Sequence, residues 1–130
     1  MKEPTKQDER PGGQTPKLLS LYVADVAPVE VGPGCFRRDL PSSGAVRVWV
    51  VDMAPGSEWP YVDKHCETGE EFFVVNGEVI EGDERYGPGM YVTFAPGSSH
   101  RPRTETGVRI FGFNLVAASA YEVHEKGDSL

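Results

Sequence analysis

The stretch from Gly69 to Phe113, GEEFFVVNGEVIEGDERYGPGMYVTFAPGSSHRPRTETGVRIFGF, constrains the fold more than any other part of the chain. Short runs of β-branched and aromatic residues are broken by turn signals, a pattern that leaves no room for an amphipathic helix and favours antiparallel strands. Asn76-Gly77 favours the positive φ angles of a type I′ hairpin turn, and Gly82-Asp83 marks a second, looser turn. Glycine punctuation continues through Gly89 and Ala95-Pro96-Gly97, and a histidine, His100, follows closely.

The same punctuation extends over the whole chain, which carries 15 glycines and 11 prolines in 130 residues. That length suits one domain, because single cores form in roughly 100 to 150 residues. A net charge of −7, with lysine and arginine scattered in ones and twos, argues against a nucleic-acid partner, which requires a basic cluster to displace phosphate counterions. The apolar runs are far shorter than the roughly 20 residues that cross a bilayer. No secretory signal stands out, and Cys35 and Cys66 lack CxxC spacing, so a soluble cytoplasmic protein without a membrane partner is expected.

Residues 1–16 hold too few apolar side chains to offset the entropy of ordering and read as a disordered tail before one domain at 17–125. LLSLYV from Leu18 and PVEV from Pro28 read as short strands, and Gly32-Pro33-Gly34 as a turn before CFRRDL. Ala45–Met53 is the firmest strand, rich in valine, with Trp49 placed on its buried face. Further strands are expected at Phe72–Val75, Glu78–Glu81, Met90–Phe94, Ser99–Arg103 and Val108–Val116. A short helix is expected at Ala117–Glu125 and a frayed end at 126–130. Between the strands, SEWPYVDKHCETGEE gathers several metal-capable side chains in one loop and strand end.

These residues resemble a cupin over about residues 28–116. The first cupin motif, glycine, H-x-H, glutamate and glycine, matches at Glu70 and, six residues beyond it, Gly77. Its H-x-H pair falls on Asp63 and His65, which share a strand face, or on Lys64 and Cys66 in a register shifted by one. The first keeps an imidazole and two carboxylates inside. The second fits the ungapped wording KHCETGEEF. The second motif places His100 at the ligand position, with Ala95 where the family usually has proline and Thr104 where it often has asparagine. The wording is most similar to the branch that holds the metal-binding domain of zinc-dependent anti-sigma factors and the dioxygenases that cleave aromatic or β-diketone carbon–carbon bonds.

The resemblance implies an all-β fold, the double-stranded β-helix of two facing antiparallel sheets, a two-sheet jelly-roll barrel that often forms a homodimer. It implies a divalent metal, Fe(II) first and Zn, Mn or Ni as alternatives, held by His65, Glu70 and His100, with Asp63 as a fourth ligand or a hydrogen-bonded neighbour. The expected partner is a small oxygenated substrate: a keto-enol, hydroxyketone or phenol. It would be walled by Trp49, Tyr91, Phe94, Phe111 and Phe113, with Arg47 or Arg109 as an anion anchor. Three functions follow from the resemblance. The first is an Fe(II) dioxygenase. The second is a metal-assisted isomerase, cyclase or lyase with Glu70 or Glu71 as proton shuttle. The third is a ligand-sensing module like the anti-sigma domain, placed behind the others because only a short tail precedes the barrel.

Overall fold

The computed structural model describes residues 18–64 and 68–115. Among the described residues ten strands form two facing layers: β1 (Val29–Gly32), β2 (Cys35–Leu40), β3 (Val46–Met53), β4 (Asp63–Lys64), β5 (Glu70–Gly77), β6 (Val79–Glu81), β7 (Glu84–Tyr86), β8 (Tyr91–Phe94), β9 (Ser99–His100) and β10 (Val108–Leu115). Six of them make one antiparallel sheet in the order β1-β2-β3-β10-β5-β8. The second layer is assembled from shorter pieces. β4 pairs with β9, β6 pairs with β7, and single bridges from Arg103 to Glu58 and to Ile80 tie the two pairs together. This is the all-β, two-sheet antiparallel architecture of a jelly-roll barrel.

The valine-rich β3 sits at the centre of the large sheet because both its neighbours, β2 and β10, pair with it along most of its length. Alternation sends Trp49, Val51 and Met53 inward, and β10 adds Val108 and Ile110 on the same face. Phe72 and Val74 of β5, Val79 of β6 and Trp59 complete the cluster between the layers. Each large apolar side chain buried here contributes about 1.5–3 kcal/mol, so this two-layer core outweighs any local turn preference.

Asn76-Gly77 is not the hairpin turn that its sequence suggests. Asn76 has no positive φ, β5 pairs with β10 and β8 rather than with β6, and the chain crosses here from one layer to the other. Gly77, at φ 76°, is required by a close approach, because a Cβ there would run into the carbonyl oxygen of Gly107. The hairpin lies at Gly82-Asp83 instead, where Glu81 faces Glu84 across a two-residue turn with Gly82 at φ 60°.

The strand expected in LLSLYV is absent. Leu18–Tyr22 is irregular and runs into a short 3-10 turn at Val23–Asp25, with Leu18 and Tyr22 exposed, so these side chains have no sheet face to pack on. β7 carries too little apolar character to be read from its sequence and forms because β6 lies beside it. The tail at 1–16, the helix at 117–125 and the end at 126–130 lie outside the described residues. Among the described residues no helix is long and apolar enough to cross a membrane.

Candidate metal centre

The second layer and the edge of the large sheet bring three side chains together. Asp63 of β4 and His100 of β9 are direct cross-strand partners. Glu70 opens β5 opposite Phe94 of β8, and the Phe94 ring stacks on the His100 imidazole at a centroid distance of 4.3 Å. Gly69 makes this start possible. At φ 74° it lies so close to the Phe94 carbonyl that a Cβ would collide with it. Alternation then points Glu70 inward and Glu71 outward.

His100 Nε2 lies 3.4 Å from Asp63 Oδ2 and 3.3 Å from Glu70 Oε2, and its Nδ1 lies 2.8 Å from Glu81 Oε2. One ligand atom from each of Asp63, Glu70 and His100 falls within 4.8 Å of the others. Two donors bound at about 2.1 Å to a tetrahedral ion stand about 3.4 Å apart, so the spacing fits a metal site. Burial lowers the imidazolium pKa, but Asp63, Glu70 and Glu81 outweigh it and raise His100 from 6.5 to about 11. Three carboxyl groups converging on one imidazole within an apolar wall suit a bound cation, which offsets the desolvation they suffer.

The wall is apolar. Trp49, Val51, Met53, Trp59, Pro102 and Ile110 line a cavity of about 20 Å³ with Asp63, Glu70 and His100 at one side. That is room for about one water molecule or ion. Behind Glu70, Asn114 donates from Nδ2 to Glu70 Oε1 at 3.3 Å and to the Gly69 carbonyl at 3.0 Å, and accepts the Trp49 indole N–H at 2.8 Å.

The ChrR cupin-like domain family matches residues 20–117. The chain belongs to this cupin family. Solved cupin folds resemble it over most of its length. One is a chain of the complex of Rhodobacter sphaeroides SigE with the anti-sigma factor ChrR, at a TM-score of 0.64 and 20% identity, covering 72% of this cupin and 51% of that chain. An RmlC-like cupin from Shewanella frigidimarina gives 0.64 at 19% identity, covering 78% and 93%. The polyketide cyclase RemF from Streptomyces resistomycificus gives 0.63 at 14%, covering 85% and 95%. This cupin therefore spans about half of the SigE–ChrR complex chain that it matches. Identities this low establish a shared fold. No curated protein sequence matches the chain.

In this cupin, Asp63 faces inward at 5% exposure while Lys64 is exposed, so the register that would bury Lys64 is not the one adopted. His65 and Cys66 lie outside the described residues. Of the five aromatic residues expected around a substrate, Trp49 lines the cavity and Phe94 supports His100. Tyr91, Phe111 and Phe113 stand on the opposite face of the large sheet, because each is one residue out of phase with an inward neighbour. Arg109 is on that outer face too, where Asp52 receives its Nε at 2.7 Å and Arg38 Nη1 at 2.9 Å. Glu71 is likewise directed outward, beside Tyr91, whose hydroxyl it holds above its ordinary pKa by hydrogen bonding. Of the two glutamates weighed as proton shuttle, only Glu70 faces the site.

Three residues at the site carried no sequence signal strong enough to single them out. Glu81 reaches His100 only through the pairing of β6 with the 99–104 segment. Trp59 follows a proline-glycine turn and reads as an ordinary loop aromatic. Asn114 does carry a clue. It shares the inward parity of Val108 and Ile110, where a polar residue needs a hydrogen-bonding reason. Thr104, in the position where cupins often have asparagine, is buried and donates to the Glu78 carbonyl at 2.6 Å, so it closes the second layer.

Proposed function

We propose that this cupin is a divalent-metal enzyme acting on a small molecule through one of its oxygen atoms, with oxygen-dependent cleavage of a keto-enol, hydroxyketone or phenolic substrate on Fe(II) as the first reaction to test. One observation carries the reading: the ligand atoms of Asp63, Glu70 and His100 converge within 4.8 Å at the polar end of an apolar cavity. His65 is proposed as a further ligand from the adjoining segment. A divalent ion in such a mixed nitrogen and oxygen set supplies Lewis acidity and, where it is iron, a site for dioxygen.

The chain's own residues provide the rest. Asn114 fixes the Oε1 side of Glu70, so Oε2 is directed at the site. Glu81 holds the ring of His100 through Nδ1 and leaves Nε2 facing Asp63 and Glu70. Trp49, Trp59, Val51 and Met53 keep bulk water from the donors. A small substrate would present its oxygen-bearing end to the donors, since the space beside them, about 20 Å³, holds about one small group.

A second reading, metal-assisted isomerisation, cyclisation or elimination, is favoured by the inward direction of Glu70, which lines the cavity and can take up a substrate proton while Asp63 and His100 hold the ion. Pairing of two copies is proposed through the outer sheet face, where Phe73, Val75, Tyr91 and Phe111 are exposed. A single monomeric species in sedimentation velocity would remove it.

The test of the metal reading is elemental analysis of anaerobically purified protein beside the His100→Ala variant. Near-stoichiometric metal that disappears in the variant supports the reading, and oxygen uptake with diketone or hydroxyketone substrates then separates the two chemistries. Absence of metal from both proteins after reconstitution rejects it.

A further inference from the structure

Trp59 is pinned by its backbone. Its N–H donates to the Pro102 carbonyl at 2.8 Å, and its own carbonyl accepts Arg101 Nε at 2.8 Å. The indole packs edge-on to Tyr61 at 6.1 Å and is only 6% exposed. Its Nε1 is buried and has no hydrogen-bond partner among the described residues. The other indole of the chain behaves differently, since Trp49 Nε1 donates to Asn114. Both rings line the cavity that ends at Asp63, Glu70 and His100.

Native proteins rarely leave a buried donor without an acceptor, and such a group calls for an explanation. Trp49, which lines the same cavity, shows that this fold can satisfy a buried indole N–H from its own side chains. Trp59 lines a cavity that can supply the missing acceptor, sized for about one small group and walled on its polar side by the candidate metal ligands. We infer that the Trp59 indole N–H is a ligand-positioning donor: it hydrogen-bonds an oxygen atom of the small molecule held in the cavity, so the site selects ligands presenting a carboxylate, carbonyl or enolate oxygen and rejects those presenting an ammonium group. The inference rests on the metal reading for what holds that oxygen from the other side. The Trp59 side chain that carries the donor lines the cavity whether or not a metal is bound.

Formate is the probe, since it offers an acceptor oxygen at minimal size, and methylammonium is its cationic control. With two tryptophans in the chain, a ¹H–¹⁵N spectrum shows two indole resonances, and Trp59→Phe assigns them by removing one. Formate is titrated into zinc-loaded and metal-free protein, with zinc content measured separately. The expected result is a saturable shift of the Trp59 indole resonance, a still Trp49 resonance and no response to methylammonium. In Trp59→Phe, formate affinity read from the remaining amide resonances falls about two- to ten-fold, the loss of one hydrogen bond. Zinc binding with an unmoved Trp59 indole, or no formate binding to either form, overturns the inference. A shift in metal-free protein that takes up no zinc supports the donor while removing the metal reading.

Discussion

His100 Nδ1 lies 2.8 Å from Glu81 Oε2, and this contact sets which nitrogen of the ring faces the site. Metal-binding histidines commonly carry a carboxylate on the other ring nitrogen, which orients the ring and strengthens its donor atom. Glu81→Gln keeps a hydrogen-bonding side chain of the same length and removes the charge. Zinc affinity by competition titration is expected to fall about ten- to a hundred-fold in this variant, with the fold retained. Unchanged affinity would show that Glu81 only packs there.

The same cluster makes the metal-free protein sensitive to pH. The pKa of His100 is raised from 6.5 to about 11 in the fold. A raised folded-state pKa means that the native state holds its proton more tightly than the unfolded chain, so the stabilisation is complete below pH 6.5 and is lost as pH rises towards about 11. Thermal melts of chelator-treated protein should therefore show a melting temperature that declines across this window. His100→Gln should flatten the decline, and an equal slope in that variant would assign the effect to other groups.

Asn114 joins three structural groups, the Trp49 indole, the Gly69 carbonyl and Glu70. Leucine at this position has a similar volume but leaves the buried indole N–H and carbonyl without partners, at a cost of about 2–4 kcal/mol. Denaturant unfolding of metal-free Asn114→Leu measures it. A loss below about 0.5 kcal/mol would mean that water replaces the amide.

Gly112 sits in β10 between Trp49 and Phe72 of the flanking strands. A Cβ there would strike the Glu71 carbonyl and come within 2.8 Å of Phe72 Cβ, and the Trp49 ring lies closer than ordinary contact as well. Gly112→Ala is expected to destabilise by about 1–3 kcal/mol, as overpacking does. It should also displace the Trp49 indole, visible as a change in tryptophan fluorescence. Wild-type stability would show that the sheet opens at no cost.

Fold class was legible because it depends on local alternation and punctuation. Ala45–Met53 matches the observed β3 to within one residue, and Val108–Val116 starts with β10, whose described part ends at Leu115, since runs of β-branched and aromatic residues opened by glycine fit little but a central strand. The second layer was less legible. Ser99–Arg103 is a two-residue strand followed by single bridges, because its partners are short segments that only the fold delivers.

The sequence by itself determined a β-rich chain with Glu70 and His100 at cupin motif positions, because motif spacing and strand parity are properties of the backbone. Tertiary structure alone decided that Asp63 stands opposite His100, that Glu81 holds the far ring nitrogen and that Asn114 anchors Glu70. It also turned Tyr91, Phe111 and Phe113 away from the cavity and brought Trp59 to it. Those outcomes depend on which strands pair across the two layers, and contacts between residues distant in the chain leave no local periodicity to read.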